Sequence, residues 1–175
     1  MPHVFVSLGS NVDAAKNLFR AIQELALRCH VVGVSPAYES IAVGGMDQAN
    51  YLNAAVLIQT DLRAADLKQT VLRPVENLLG RIRSADKSAL CIIDLDLSLY
   101  GDQILQVGQR HIPDPDILRY AHVAVPLADL APLFPHPETG KTLGAIAQSL
   151  ASSDLVQRPD VSLWPTQARP AGELK

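Results

Sequence analysis

The sequence predicts an α+β fold, an antiparallel sheet with helices packed on it. Three observations predict it: apolar stretches of strand length interleave with two longer stretches of helical spacing, strands in the second half are joined by a hairpin-type turn, and no repeat period is present. Residues 4–8 form a short apolar strand ended by Gly9-Ser10-Asn11. Residues 13–28 put Leu18, Ile22, Leu25 and Ala26 at helical spacing, with Asn11 or Asp13 as the expected N-cap. Residues 31–40 and 51–60 read as strands flanking a loop that holds Gly44-Gly45. A second helix fits residues 62–79, closed by Gly80 and kinked or interrupted by Pro74, whose nitrogen has no hydrogen to donate. Residues 92–99 form the next strand, Gly101-Asp102 a turn and residues 104–107 its partner strand. Pro113 and Pro115 punctuate a loop before a mainly helical region to Leu130, and residues 143–150 make a last short helix. The expected organisation is one domain over residues 1–151 and an extended or disordered tail over 152–175, where Pro159, Pro165 and Pro170 lie.

Composition narrows the function classes. The 175 residues are 48% hydrophobic, enough for a substantial core. A net charge of −3 gives no global sign of nucleic-acid binding. No apolar run reaches the ~18 residues of a membrane span, and Met1-Pro2-His3 lacks the basic start of a secretory signal, so a cytoplasmic location is expected. Cys29 and Cys91 sit among apolar neighbours without disulfide or zinc spacing.

The stretch Ile92-Ile93-Asp94-Leu95-Asp96-Leu97-Ser98-Leu99 carries the most chemistry. Side chains alternate along a strand, so Asp94, Asp96 and Ser98 share a face, opposite a core-facing row of Ile93, Leu95, Leu97 and Leu99. Adjacent carboxylates repel unless a cation or hydrogen bonds offset the charge. A hard divalent ion such as Mg²⁺, held by carboxylates and substrate phosphates together, suits them. The pair alone leaves open a solvated polar face on a half-exposed strand. Upstream, Lys68, Arg73, Arg81, Arg83 and Lys87 concentrate basic charge, and a solvated helix face explains the first two better than Arg81 and Arg83. Tyr51 and Asn53 share one face of their strand, with Leu52, Ala54, Val56 and Ile58 on the other. Asn is disfavoured within strands, and its amide matches the edge of a heteroaromatic base. An Asn bonding local backbone at a strand entrance is the alternative. Gly140-Lys141-Thr142 looks like the end of a P-loop, but the required earlier glycine is Pro135, which rejects the motif.

Together these segments resemble the 6-hydroxymethyl-7,8-dihydropterin pyrophosphokinases of folate biosynthesis. The resemblance rests on Leu8-Gly9-Ser10-Asn11, Tyr38-Glu39-Ser40, the run from Asp47 through Tyr51-Leu52-Asn53 to Val56, and Glu76 followed by Gly80-Arg81-Ile82-Arg83. It continues through Ile93-Asp94-Leu95-Asp96-Leu97, Tyr100-Gly101, Val125-Pro126-Leu127 and His136-Pro137. It implies a ferredoxin-like sheet with a pterin–ATP cleft, and transfer of the β,γ-diphosphoryl group of ATP to the pterin hydroxymethyl oxygen, releasing AMP. In that scheme Asp94 and Asp96 hold two Mg²⁺ ions, and Arg81 and Arg83 lie near the phosphates. Ser40, Val43, Tyr51, Asn53 and His122 form the pterin pocket, and Glu76, Arg83 and Asp114 the nucleotide side. The implied partners are the pterin and ATP, with neither nucleic acid nor membrane. The loop around Gly44-Gly45 would close over the substrates.

The chain departs from the family pattern in one cluster. A Trp-Gly-Pro-Arg-type segment becomes Ser88-Ala89-Leu90-Cys91, a Pro-His-Pro-like segment becomes Pro113-Asp114-Pro115, a family arginine aligns with Tyr120 beside Arg119, and the pterin-stacking phenylalanine aligns with His122. The metal pair and Asn53 survive while phosphate-facing cations are lost. The alternative function is therefore a non-catalytic or retooled pterin-binding paralogue.

Overall fold

A computed structural model describes residues 1–41, 49–81, 90–151 and 154–164. The first unit is strand β1 (His3–Ser10), helix α1 (Ala14–Ala26), strands β2 (His30–Val34) and β3 (Tyr38–Ser40), and the long strand β4 (Tyr51–Gln59). The second helix follows as α2 (Ala64–Leu67), a π-turn (Lys68–Leu72) and α3 (Arg73–Leu78). Then come β5 (Asp94–Tyr100), β6 (Leu105–Val107), β7 (Arg110–Ile112), a 3-10 turn (Pro115–Leu118), α4 (Ala121–Leu130), α5 (Leu143–Ser149) and β8 (Leu155–Gln157).

The main sheet runs β5-β1-β4-β3-β8, with β2 also on β4, and all its pairings are antiparallel. The antiparallel α+β sheet is the class the sequence predicts, and its order fits the ferredoxin-like sheet that the resemblance implies. Val4, Val6 and Leu8 alternate with Phe5 along β1, so the strand buries apolar side chains on both faces. One face packs against Leu18, Ile22 and Leu25 of α1 and Leu67, Val71 and Val75 of the second helix. The other packs Phe5, Ala55, Leu57 and Leu99 against α4 and α5. A sheet covered on both faces explains why β4 reads as a nearly continuous apolar run.

Several expectations need correction. Neither Asn11 nor Asp13 caps α1 through its side chain: Asp13 adopts a left-handed conformation without a capping bond, and Asn11 Oδ1 accepts the Cys91 N–H at 2.7 Å. The strand expected over 31–40 is broken by Pro36, which has no N–H for the ladder. Ser35 bridges the break, exchanging hydrogen bonds with the Ala55 backbone through its own N–H and its Oγ. Pro74 does not interrupt its helix; the preceding π-turn absorbs it, with the Arg73 N–H reaching back to the Lys68 carbonyl. Residues 105–107 pair with β7, a strand the sequence did not suggest, rather than with the aspartate strand. Leu99 leaves the row of Leu95 and Leu97: opposite β1, Leu97 faces Val6 and Leu99 faces Phe5, so Ser98 is a bulge and Leu99 enters the other core. Within the expected tail, residues 155–157 form β8 on β3 and Leu163 is buried in the main core, so the described residues 154–164 are not a disordered stretch.

Candidate active site

The site lies where β1, β4 and β5 run side by side on the α4 face. Gly9 pairs with Asn53 on one side and Asp94 on the other, which sets the amide and the carboxylate either side of a residue without a side chain. A Cβ on Gly9 would lie 3.7 Å from Asn53 Oδ1 and 3.8 Å from the Tyr51 ring. One step along, Ser7 pairs with Asp96, and its Oγ shares a 2.7 Å hydrogen bond with Ser98 Oγ.

Two cavities meet at the aspartates. The first, about 170 Å³, is lined by Tyr51, Asn53, Asp94, Asp96, Asp114 and His122 among others. The second, about 430 Å³, is lined by Lys68, Arg73, Glu76, Arg81 and Arg110 together with the same two aspartates. Asn53 is buried, and its Nδ2 donates to Ser40 Oγ at 2.9 Å and to the Tyr38 carbonyl at 3.3 Å. Both donors are thus spent. Among the described residues nothing donates to Oδ1, which lies beside Gly9 in the first cavity. Local backbone bonding, the alternative kept open for Asn53, accounts for its nitrogen but not its oxygen.

Helix geometry places the cationic side. Gly80 takes a left-handed φ of +89° and ends α3 with its N–H on the Asn77 carbonyl, while the Arg81 N–H bonds the Glu76 carbonyl. That turn swings Arg81 back so that its guanidinium bridges Glu76 and Asp94. Glu76 Oε1 also accepts the Leu95 N–H at 2.9 Å. Burial acts to lower the Arg81 guanidinium pKa, but the carboxylates of Asp94 and Glu76 outweigh it and hold the group above its ordinary value. Burial pushes Glu76 up.

Asp96 is pushed up to about 6, by burial first and then by the charge of Asp94, with Arg110 pulling the other way. Arg110 lies 3.3 Å from Asp96 and 3.7 Å from Asp114. Asp114 also accepts the Asp116 N–H at 3.0 Å, and burial raises its carboxyl. His122 stacks on Tyr120 with centroids 5.2 Å apart, and burial lowers its pKa. The Cys91 thiol is pushed up to about 11 by burial and then by the charge of Asp94.

Of the residues singled out from sequence, Tyr51, Asn53, Asp94, Asp96, Asp114 and His122 converge on the first cavity, and Glu76 and Arg81 on the second. Ser40 joins through Asn53 and lines a neighbouring cavity with His122. Val43 and Arg83 lie outside the described residues. Sequence reasoning missed Gly9 and Arg110 as site residues. Gly9 entered the sequence reading as a strand end and as part of a motif without a role, and Arg110 belongs to a three-residue strand placed by pairing across a hairpin.

A model of the family described as 7,8-dihydro-6-hydroxymethylpterin-pyrophosphokinase matches residues 5–132. A 2-amino-4-hydroxy-6-hydroxymethyldihydropteridine pyrophosphokinase of Synechocystis is 39% identical over 144 residues, 79% of this chain and 71% of its own length. The Pseudomonas aeruginosa protein of the same name is 35% identical over 74% of this chain and 80% of its own. The folic acid synthesis protein fol1 of Pneumocystis carinii is 32% identical, but the chain spans only 20% of that protein's length. Among solved structures, the wild-type HPPK-DHPS of Plasmodium falciparum shares the fold, with a TM-score of 0.67 at 11% identity over 89% of this chain and 48% of that one. The family match and the identities to the two bacterial proteins place this chain within the 7,8-dihydro-6-hydroxymethylpterin-pyrophosphokinase family.

Proposed function

We propose that the chain transfers diphosphate from ATP to the hydroxymethyl oxygen of 6-hydroxymethyl-7,8-dihydropterin, releasing AMP. The observation that carries this reading is the shared wall: Asp94 and Asp96 line both a cavity holding an amide oxygen that no described residue bonds and a cavity holding Lys68, Arg73 and Arg110. The pterin occupies the first, with Asn53 Oδ1 accepting from its ring N–H edge and the His122 ring offering a flat face. The triphosphate occupies the second. Among the described residues the Arg73 Nε is buried without a partner, and Arg110, itself half exposed, contacts Asp96 and Asp114. The pterin oxygen attacks the β-phosphorus, the bond from that phosphorus to the oxygen bridging it to the α-phosphate breaks, and the hydroxyl proton passes to solvent.

The carboxylate pair fits Mg²⁺: Asp94 and Asp96 line the same two cavities, and burial first, then the charge of Asp94, raises the Asp96 pKa, so a cation there would relieve both. Among the described residues no group of three His, Cys, Asp or Glu side chains could hold a metal alone, so Asp94 and Asp96 would hold it together with substrate phosphates. Bound Mg²⁺, two ions in this reading, neutralises charge on the transferring oxygens. Arg81 fixes Asp94 by holding it against Glu76. Arg110, drawn off Asp96 toward a phosphate, supplies part of the positive charge lost at Cys91, Asp114 and Tyr120.

Nucleotide analysis after mixing the protein with Mg²⁺-ATP and the pterin tests this. AMP is expected in step with pterin consumption, without ADP, and Asp96→Asn is expected to lower it by at least about 10²-fold. No AMP above the variant control would favour a pterin-binding paralogue. The observation on that side is Asp114, which adds a carboxylate to the cavity where the family pattern has a histidine.

A further inference from the structure

The C-terminal strand reaches the pterin pocket through a chain of contacts that the sequence resemblance does not include. β8 pairs with β3 so that Leu155 faces Ser40, Val156 faces Glu39 and Gln157 faces Tyr38. The next residue, Arg158, donates its N–H to the Ala37 carbonyl at 2.8 Å, extending the ladder. Its guanidinium forms an ion pair with Glu39 and two further hydrogen bonds to Asp160, at 2.9 and 2.8 Å. The other oxygen of Glu39 accepts from Asn50 Nδ2 at 2.7 Å. Glu39 therefore joins three segments: β3 itself, the entry to β4 at Asn50, and the C-terminal strand.

The consequence falls on Asn53. Its two Nδ2 hydrogens are held by Ser40 Oγ and the Tyr38 carbonyl, both on β3. Those two bonds decide which way the amide faces, and so whether oxygen or nitrogen is presented to the cavity. β3 has only three residues and three register pairs with β4. So short a strand needs a neighbour on its other side to hold its place, and β8 is that neighbour.

We propose that the segment from Leu155 to Asp160, acting through Arg158 and Glu39, is a positioning element that sets the orientation of Asn53 and thereby the protein's affinity for the pterin. This rests on the functional reading above. Arg158 touches neither cavity at the aspartates, so it acts only through Glu39 and β3.

Arg158→Ala in the full chain tests the proposal, with Arg158→Lys as the conservative partner. Thermal melts check that each variant remains folded. The expected result is a rise of about tenfold in KM for the pterin, with kcat and KM for ATP each within about twofold of wild type, and partial recovery in Arg158→Lys. In ¹⁵N spectra, with the Asn53 side-chain signal assigned through Asn53→Asp, hydrogen exchange at Nδ2 should be slow in wild type and faster in Arg158→Ala. An unchanged pterin KM, a parallel rise in both KM values, or unchanged Nδ2 exchange would overturn the proposal. If wild type releases no AMP, the diphosphoryl-transfer reading falls by itself. The Nδ2 exchange, together with fluorescence titration of the pterin into wild type and Arg158→Ala, then still decides the positioning role.

Discussion

Asp96 is the residue on which pH acts most directly. Its carboxyl, pushed up to about 6 by burial and Asp94, keeps its proton well above the usual carboxylate range of about 3.9. A native-state pKa above the unfolded value means that the folded protein binds the extra proton between those limits. The associated stability is full below the unfolded pKa and is lost as pH rises through about 6. The protein without Mg²⁺ is therefore expected to melt lower at pH 7.5 than at pH 5 through this group. Asp96→Asn should flatten that slope and raise Tm by about 2–4 °C at pH 7.5, corresponding to about 1 kcal/mol, while removing activity. Calorimetric scans of both proteins across that range check it. His122 has the opposite sign. Burial lowers its pKa, so its contribution is present above about 6.5 and is lost as pH falls below it. His122→Phe should then lose less stability than wild type between pH 7 and 5, measured by urea unfolding at each pH. Asp94, Asp96 and Asn53 could be singled out from sequence because strand periodicity is a local property, and two residues along a strand always return to one face. Arg110 could not, since only the pairing of β6 with β7 carries it to Asp96.

The turn that ends α3 links backbone conformation to site charge. Gly80 at φ +89° lets the chain reverse so that Arg81 meets Glu76 and Asp94. A side chain is strained in that left-handed region, so Gly80→Ala is expected to cost about 1 kcal/mol. It should also lower kcat, because Arg81 no longer holds Asp94 in place. A Gly80→Ala variant that is destabilised but fully active would separate the turn from the chemistry. The π-turn before it has a comparable role, bringing Lys68 and Arg73 to the wall of the larger cavity. Pro74 was visible in the sequence as a disturbance. Whether it would kink, break or widen the helix depended on packing, since Val71, Leu72 and Val75 all stay buried. The strands β3, β7 and β8, three residues each, carry too little periodicity to be read alone.

Across the molecule, β4 feeds both cores, as β1 and β5 do: Val56 and Ile58 enter one, Ala55 and Leu57 the other. Leu57 is fully buried, and Leu57→Ala should destabilise the protein by about 2–5 kcal/mol. It lies four residues along β4 from Asn53 and lines neither cavity at the aspartates, so KM values at 20 °C should stay near wild type, which urea unfolding and steady-state kinetics would check together. The antiparallel α+β architecture was legible from alternating elements, and the site's location from two strands that carry polar residues among apolar ones. The face of Leu99 was not, because a bulge is imposed by the neighbouring strand's register rather than by the bulged strand's own pattern. That bulge bears on how the chain tolerates changes of length. With Ser98 deleted, Leu97 and Leu99 become consecutive and already point to opposite faces, so β5 can pair regularly with β1 and leave Asp94 and Asp96 facing as they do now. What the deletion removes is the Ser98 hydroxyl, bonded to Ser7 Oγ, and the Ser98 carbonyl, which accepts the Asp114 N–H at 2.9 Å. The extra residue in β5 thus acts as a tether for the segment that holds Asp114 and leads into α4, and shortening the strand would free that segment while sparing both cores.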